Sequence, residues 1–146
     1  MMLNSISRPA PHRRMRPSPR IISGTMALVA AGLIAAGTAL PWLSFFAGLQ
    51  PRSGVGTLNG TMLLAGAAVA VLLAVATLAS RSRWPRRGLT ILGIVLTAFS
   101  AYLVVGLVAV YREVSADPLL VVQVGPGLAL VAAGSLIVLL TGVLSD

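Results

Sequence analysis

The chain has 146 residues, 57% of them hydrophobic and only 10% charged, with a formal net charge of +8. A soluble domain carries about 25% charged residues, so this composition excludes an ordinary water-facing surface for most of the chain. The absence of cysteine excludes disulfides, thiolate metal sites and lipidated cysteines, and the length suits one folded unit.

Every basic residue is arginine, a codon bias that, with the abundant Ala, Gly, Val and Leu, points to a GC-rich genome. The N-terminal segment, residues 1–20, holds Arg8, Arg13, Arg14, Arg16 and Arg20 among Pro9, Pro11, Pro17 and Pro19. Such a segment has little to bury and repeated helix breakers, so a disordered tail is expected.

Four apolar segments follow. A bilayer core about 30 Å thick needs roughly 20 apolar residues in a helix. The first span is read from Ile21 to Leu40, interrupted only by Ser23, Thr25 and Thr38. It is longer than a signal-peptide core of about 7–15 residues, and Pro41-Trp42-Leu43-Ser44-Phe45-Phe46 follows it, so an uncleaved span is expected. The second span is read from Gly60 to Ala79 and the third from Gly88 to Val110. The fourth is placed at 125–143, because Pro126 fits the first turn of a helix and not its interior. Residues 119–124 then form an extended apolar approach, and 144–146 a short C-terminal tail. The expected fold class is all-α: an integral membrane domain over 21–143, built as two consecutive helical hairpins.

Arginine placement sets the expected orientation. Five arginines precede the first span, and Arg81, Arg83, Arg86 and Arg87 lie between the second and third. The other two loops hold one each, Arg52 and Arg112. The positive-inside rule puts the tail and the middle loop in the cytoplasm, and four spans bring the C-terminus back there. Trp42, Phe45, Phe46 and Tyr111 at the outer ends and Trp84 at the inner surface suit the headgroup level. The arginine blocks flank buried segments, so they read as topology signals and as attraction to anionic lipid, not as a nucleic-acid surface.

The two halves echo each other. Pro19-Arg20 and Pro85-Arg86-Arg87 lead into outward spans, and Gly54-Val55-Gly56 and Gly125-Pro126-Gly127 precede inward ones. A parallel duplication is one reading; the shared demands of any four-span chain are the other.

Small residues recur at every fourth position: Ser23, Ala27, Ala31, Ala35 and Ala39 in the first span; Gly66, Ala70 and Ala74 in the second; Gly93, Thr97 and Ala101 in the third. The fourth has Gly127, Gly134 and Gly142. These faces allow close helix approach, either inside the bundle or against another membrane protein or a second copy.

The inventory for chemistry is thin. The only histidine is His12, in the tail, and the acids are Glu113, Asp117 and Asp146. Glu113 and Asp117 would share a face of a helical turn, but Pro118 interrupts it and no third ligand is near, so a solvated loop is the better reading. The two glycine pairs lack the lysine, serine and strand context of a phosphate-binding loop and read as turns entering helices. Asn59 and Gln123 read as interfacial. No span holds an ionisable group, the usual marker of an ion path. Thr61, Thr90, Thr97, Ser100, Ser135 and Thr141 could line a polar path in an oligomer or bond to their own helices. No catalytic residue, cofactor site or metal site is expected, and the chain is read as a non-enzymatic accessory or assembly subunit, with an oligomeric small-solute channel or exporter component as the alternative.

Pro41-Trp42-Leu43, Ser53-Gly54 with Gly60, and Val124-Gly125-Pro126-Gly127-Leu128 with Gly134 resemble the layout of small four-span membrane proteins of actinobacteria. The pattern is similar, more loosely, to the tryptophan-operon-associated membrane proteins of the same bacteria. The resemblance covers about 21–143 and implies a four-helix fold in the bacterial inner membrane, with no catalytic residues to carry over.

Overall fold

In a computed structural model, residues 19–45, 50–80, 82–114 and 123–144 are described. Four helices dominate: α1 (Pro19–Ala39), α2 (Leu58–Ala79), α3 (Trp84–Val114) and α4 (Gly127–Leu144). All four are long and apolar enough to cross a membrane. At 1.5 Å per residue, the 18 residues of α4 span about 27 Å, while the 31 residues of α3 reach about 46 Å. α3 is therefore longer than a hydrocarbon core about 30 Å thick. It begins four residues before the expected span and ends four after it. Pro85 is tolerated in its first turn, where a missing N–H costs no helical bond.

Each helix packs antiparallel against its neighbours in the chain, and α4 closes the ring against α1. The α1–α4 seam is the most extensive and α2–α3 the least. The expected pair of hairpins is thus present as connectivity, but the tightest contact joins the first helix to the last. Helix α4 is the most buried of the four and α3 the least.

Glycine explains the order of these contacts. A Cβ on Gly37 would sit 2.6 Å from the Gly127 carbonyl oxygen, and one on Gly127 would sit 2.6 Å from that of Gly37. Two turns further along, a Cβ on Gly134 would come 2.8 Å from the Ala30 carbonyl. The two backbones therefore meet directly, which lipid-facing helices need because burial of side chains gives them no net drive. Gly142 plays the same part against Thr90 and Gly93 against Leu139 on the α3–α4 side. Ala27, Ala31, Ala70 and Ala74 are buried in the same interior. Part of the recurrent small-residue series thus packs within the bundle, while Ala39 and Ala101 are exposed.

The core around them is Ile34, Leu63, Leu89, Leu96, Val131 and Val138, all buried. Four hydroxyls inside it are satisfied locally. Thr38 donates to the Ala35 carbonyl (2.7 Å), Thr77 to Leu73 (2.7 Å), Ser135 to Val131 (2.8 Å) and Thr141 to Ile137 (2.7 Å).

A small antiparallel sheet, which the sequence reading did not anticipate, caps one end. Its strands are β1 (Pro41–Phe45), β2 (Gln50–Ser53) and β3 (Gln123–Val124), in the order β2-β1-β3. β1 pairs Leu43 with Arg52 on one side and with Val124 on the other. The expected extended approach to α4 is seen at its last two residues as β3; residues 119–122 lie outside the described residues. So do Phe46, Asp117, Asp146, and His12 with the Arg- and Pro-rich segment before residue 19.

Candidate functional site

The two ends of the bundle differ in chemistry. At the sheet end the organising residue is Trp42. The β1–β2 register shifts between Pro41 and Leu43, and such an irregularity re-aims the side chain it carries. The indole N–H donates to the Gly37 carbonyl at 2.9 Å, one of the last carbonyls of α1 and so one without a helical partner. A Cβ on Gly54 would run into the six-membered ring, and one on Gly127 would lie 2.7 Å from Cδ1. The Gly125 N–H donates to the Trp42 carbonyl at 3.0 Å. Thr57, the N-cap of α2, donates to the Gly54 carbonyl at 2.7 Å and accepts from the Gly60 N–H at 3.1 Å.

Pro41-Trp42-Leu43, Ser53-Gly54, Gly60 and Val124-Gly125-Pro126-Gly127, separate in the sequence and read there as helix boundaries, therefore form one cap. Of these glycines, Gly54, Gly125 and Gly127 make room for an aromatic ring and for crossing backbone, while nothing lies near a Cβ at Gly56.

Beside the cap, α3 stands apart from its neighbours. Leu103 is its last buried residue; from Val104 to Glu113 only Leu107 is half-buried. A cavity of about 310 Å³ opens on the α4 side, with Val104, Tyr111 and Val124 in its wall. A second of about 280 Å³ opens on the α2 side, with Trp42, Asn59, Tyr102 and Gly106 in its wall. Leu107 and Leu128 line both. Tyr102 and Val105 are 70% and 69% exposed.

The opposite, basic end carries Arg83, Arg86 and Arg87, with Arg83 and Arg87 exposed. Trp84 is 85% exposed. A groove of about 500 Å³ between α2 and α3 is lined by Leu73, Trp84, Pro85, Arg87, Gly88 and Ile91.

Of the histidine and the three carboxylates that the sequence offers for chemistry, only Glu113 lies among the described residues. Glu113 is exposed at the sheet end of α3. Among the described residues no three His, Cys, Asp or Glu side chains come together. Five of the six hydroxyls named for a polar path bond to their own helices: besides Ser135 and Thr141, Thr61 donates to Leu58 (2.7 Å), Thr90 to Arg86 (3.2 Å) and Ser100 to Thr97 (3.0 Å). Thr97 Oγ1 is buried without a hydrogen-bond partner.

Comparison with protein-family models, with curated proteins and with solved structures finds no match to this chain. The fold itself defines the class: a small multi-pass helical protein with four candidate membrane spans.

Proposed function

We propose that this is a non-enzymatic protein of a bacterial plasma membrane, with both termini in the cytoplasm, acting as an accessory or assembly subunit of a larger membrane complex. The proposal includes its kinship with the four-span actinobacterial proteins that its cap residues resemble. The observation that carries the functional reading is the sheet-side half of α3. It is apolar, exposed on nearly all sides and flanked by two open cavities. A helix of a partner protein would seat there with Tyr102 and Asn59 at its edge. The buried small residues, Ala27, Ala31, Ala70, Ala74, Gly134 and Gly142, are engaged inside the bundle and do not carry this reading. A channel through the single bundle has no support either, because its interior is filled by Ile34, Leu63, Val131 and Val138.

The test is affinity purification in a mild native detergent followed by mass spectrometry. A membrane protein is expected in stoichiometric amount with the wild type and lost with Gly106→Leu. Nothing lies near a Cβ at Gly106, so the fold should accept leucine while the seat is blocked. Gly32, equally open but on α1, is the control: Gly32→Leu should keep the partner. A monomer without partners, or solute flux through liposomes holding this protein alone, would refute the reading, the latter in favour of a channel.

Orientation has its own expected result. In intact cells a cysteine placed at Arg52 should react with a membrane-impermeant thiol reagent, and one placed at Arg83 should not. The reverse pattern would invert the topology.

A further inference from the structure

We infer that the groove at the basic end holds one acidic phospholipid, with an acyl chain along Leu73, Gly88 and Ile91 and the phosphate held by Arg87 and Arg83. The inference rests on the membrane reading of the four helices and needs no partner protein. Trp84, Arg87, Gly88 and Ile91 are spaced by three and four along α3, so they share one face over its first two turns. That face forms one wall of the groove, and Leu73 of α2 closes it. The groove is apolar along its length and basic at its mouth, as a lipid is apolar along its chains and anionic at its head.

Charge complementarity selects an acidic lipid. Arg83 and Arg87 are exposed, and the only carboxylate side chain among the described residues, Glu113, lies at the other end of α3. Arg86 is on a different side of the helix, where its carbonyl accepts from Thr90 in the contact with Gly142 of α4. The exposed indole of Trp84 suits the headgroup level beside the phosphate. Gly88 keeps the groove floor low, since a Cβ there would come 3.0 Å from Leu73 Cδ2. Basic pockets between membrane helices bind acidic headgroups on these terms.

The experiment is native mass spectrometry of the full chain in detergent, offered equal amounts of phosphatidylglycerol and phosphatidylcholine with identical acyl chains. A single phosphatidylglycerol adduct is expected to dominate. Each exposed arginine is expected to contribute roughly fivefold, so Arg83→Gln with Arg87→Gln should lower the preference about 25-fold. Arg52→Gln with Arg112→Gln, at the sheet end, should leave it unchanged. Ile91→Trp should remove the adduct with both arginines intact, because it fills the groove. Free glycerol phosphate should not displace the lipid. Circular dichroism of each variant should match the wild type. Equal retention of the two lipids, loss with the sheet-end variant, an adduct that survives Ile91→Trp, or displacement by glycerol phosphate would each overturn the site. Failure of the protein to enter phospholipid vesicles at all would overturn the membrane reading and the site together.

Discussion

Gly134→Leu is expected to destabilise the bundle by about 3 kcal/mol or more, near or above the upper range for overpacking a filled core. The reason is the kind of atom that stands in the way. A Cβ at this position would lie 2.8 Å from the Ala30 carbonyl oxygen and 3.2 Å from the Ile34 backbone nitrogen. Neither can rotate aside as a side chain could, so α1 and α4 would have to separate. That separation would open the most extensive seam of the fold and draw the sheet apart with it, because β1 follows α1 and β3 precedes α4. In a bilayer the loss is not softened by burial of the new leucine, which finds lipid as good a solvent as protein. Gly32→Leu provides the contrast. It adds the same side chain to the middle of α1, where nothing lies within 4 Å, and should change stability by less than about 0.5 kcal/mol. Unfolding of both variants in increasing mole fractions of SDS, followed by circular dichroism, measures the difference. Equal midpoints would mean that the α1–α4 seam is looser than the structure has it.

This contrast also shows what the sequence could reveal. The spans were legible because hydropathy and length alone separate a membrane helix from anything else. Small residues at spacings of four were legible as contact faces, but their partners were not. Gly134 meeting Ala30 and Ile34 depends on α4 returning to α1, which no local pattern encodes. Hydropathy alone starts α3 only at Gly88, because Arg86 and Arg87 are charged. A helix needs apolar residues only inside the hydrocarbon, and its first turns can project beyond it with charged side chains.

The sheet was illegible for a different reason. β3 has two residues, too few for any alternation to register, and β2 carries Pro51, which argues against a strand except at a sheet edge. β2 is such an edge. The motif residues around Trp42 could be seen as a recurring layout, yet their common purpose appears only when Gly54, Gly125 and Gly127 are found against one ring and its backbone. The basic groove is half-visible in the sequence: the arginines are evident as charge, while the face spacing of Trp84, Arg87, Gly88 and Ile91 is hidden when the helix is started only at Gly88.

If the cap is organised by Trp42, its removal should be felt first at the sheet. Trp42→Ala is expected to cost about 3 kcal/mol, at the low end for a buried aromatic because the ring is only partly buried. Trp42→Phe separates two contributions. It keeps an aromatic ring between Gly54 and Gly127 but removes the N–H that the Gly37 carbonyl accepts at 2.9 Å. A net hydrogen bond is worth about 1 kcal/mol, and the residue four beyond Gly37 is Pro41, which has no N–H to offer the carbonyl left behind. Phenylalanine should therefore recover most of the alanine loss and leave a deficit of about 1–2 kcal/mol. Amide hydrogen exchange in detergent gives the local readout. Protection should fall at Gly125, whose N–H bonds the Trp42 carbonyl, and at the paired positions Leu43 and Val124, before it falls in the middle of α2 or α4. Uniform loss across all four helices would mean that the indole supports the bundle as a whole and that the sheet is not a separate cap. Unchanged protection at Gly125 would remove Trp42 from the centre of that end.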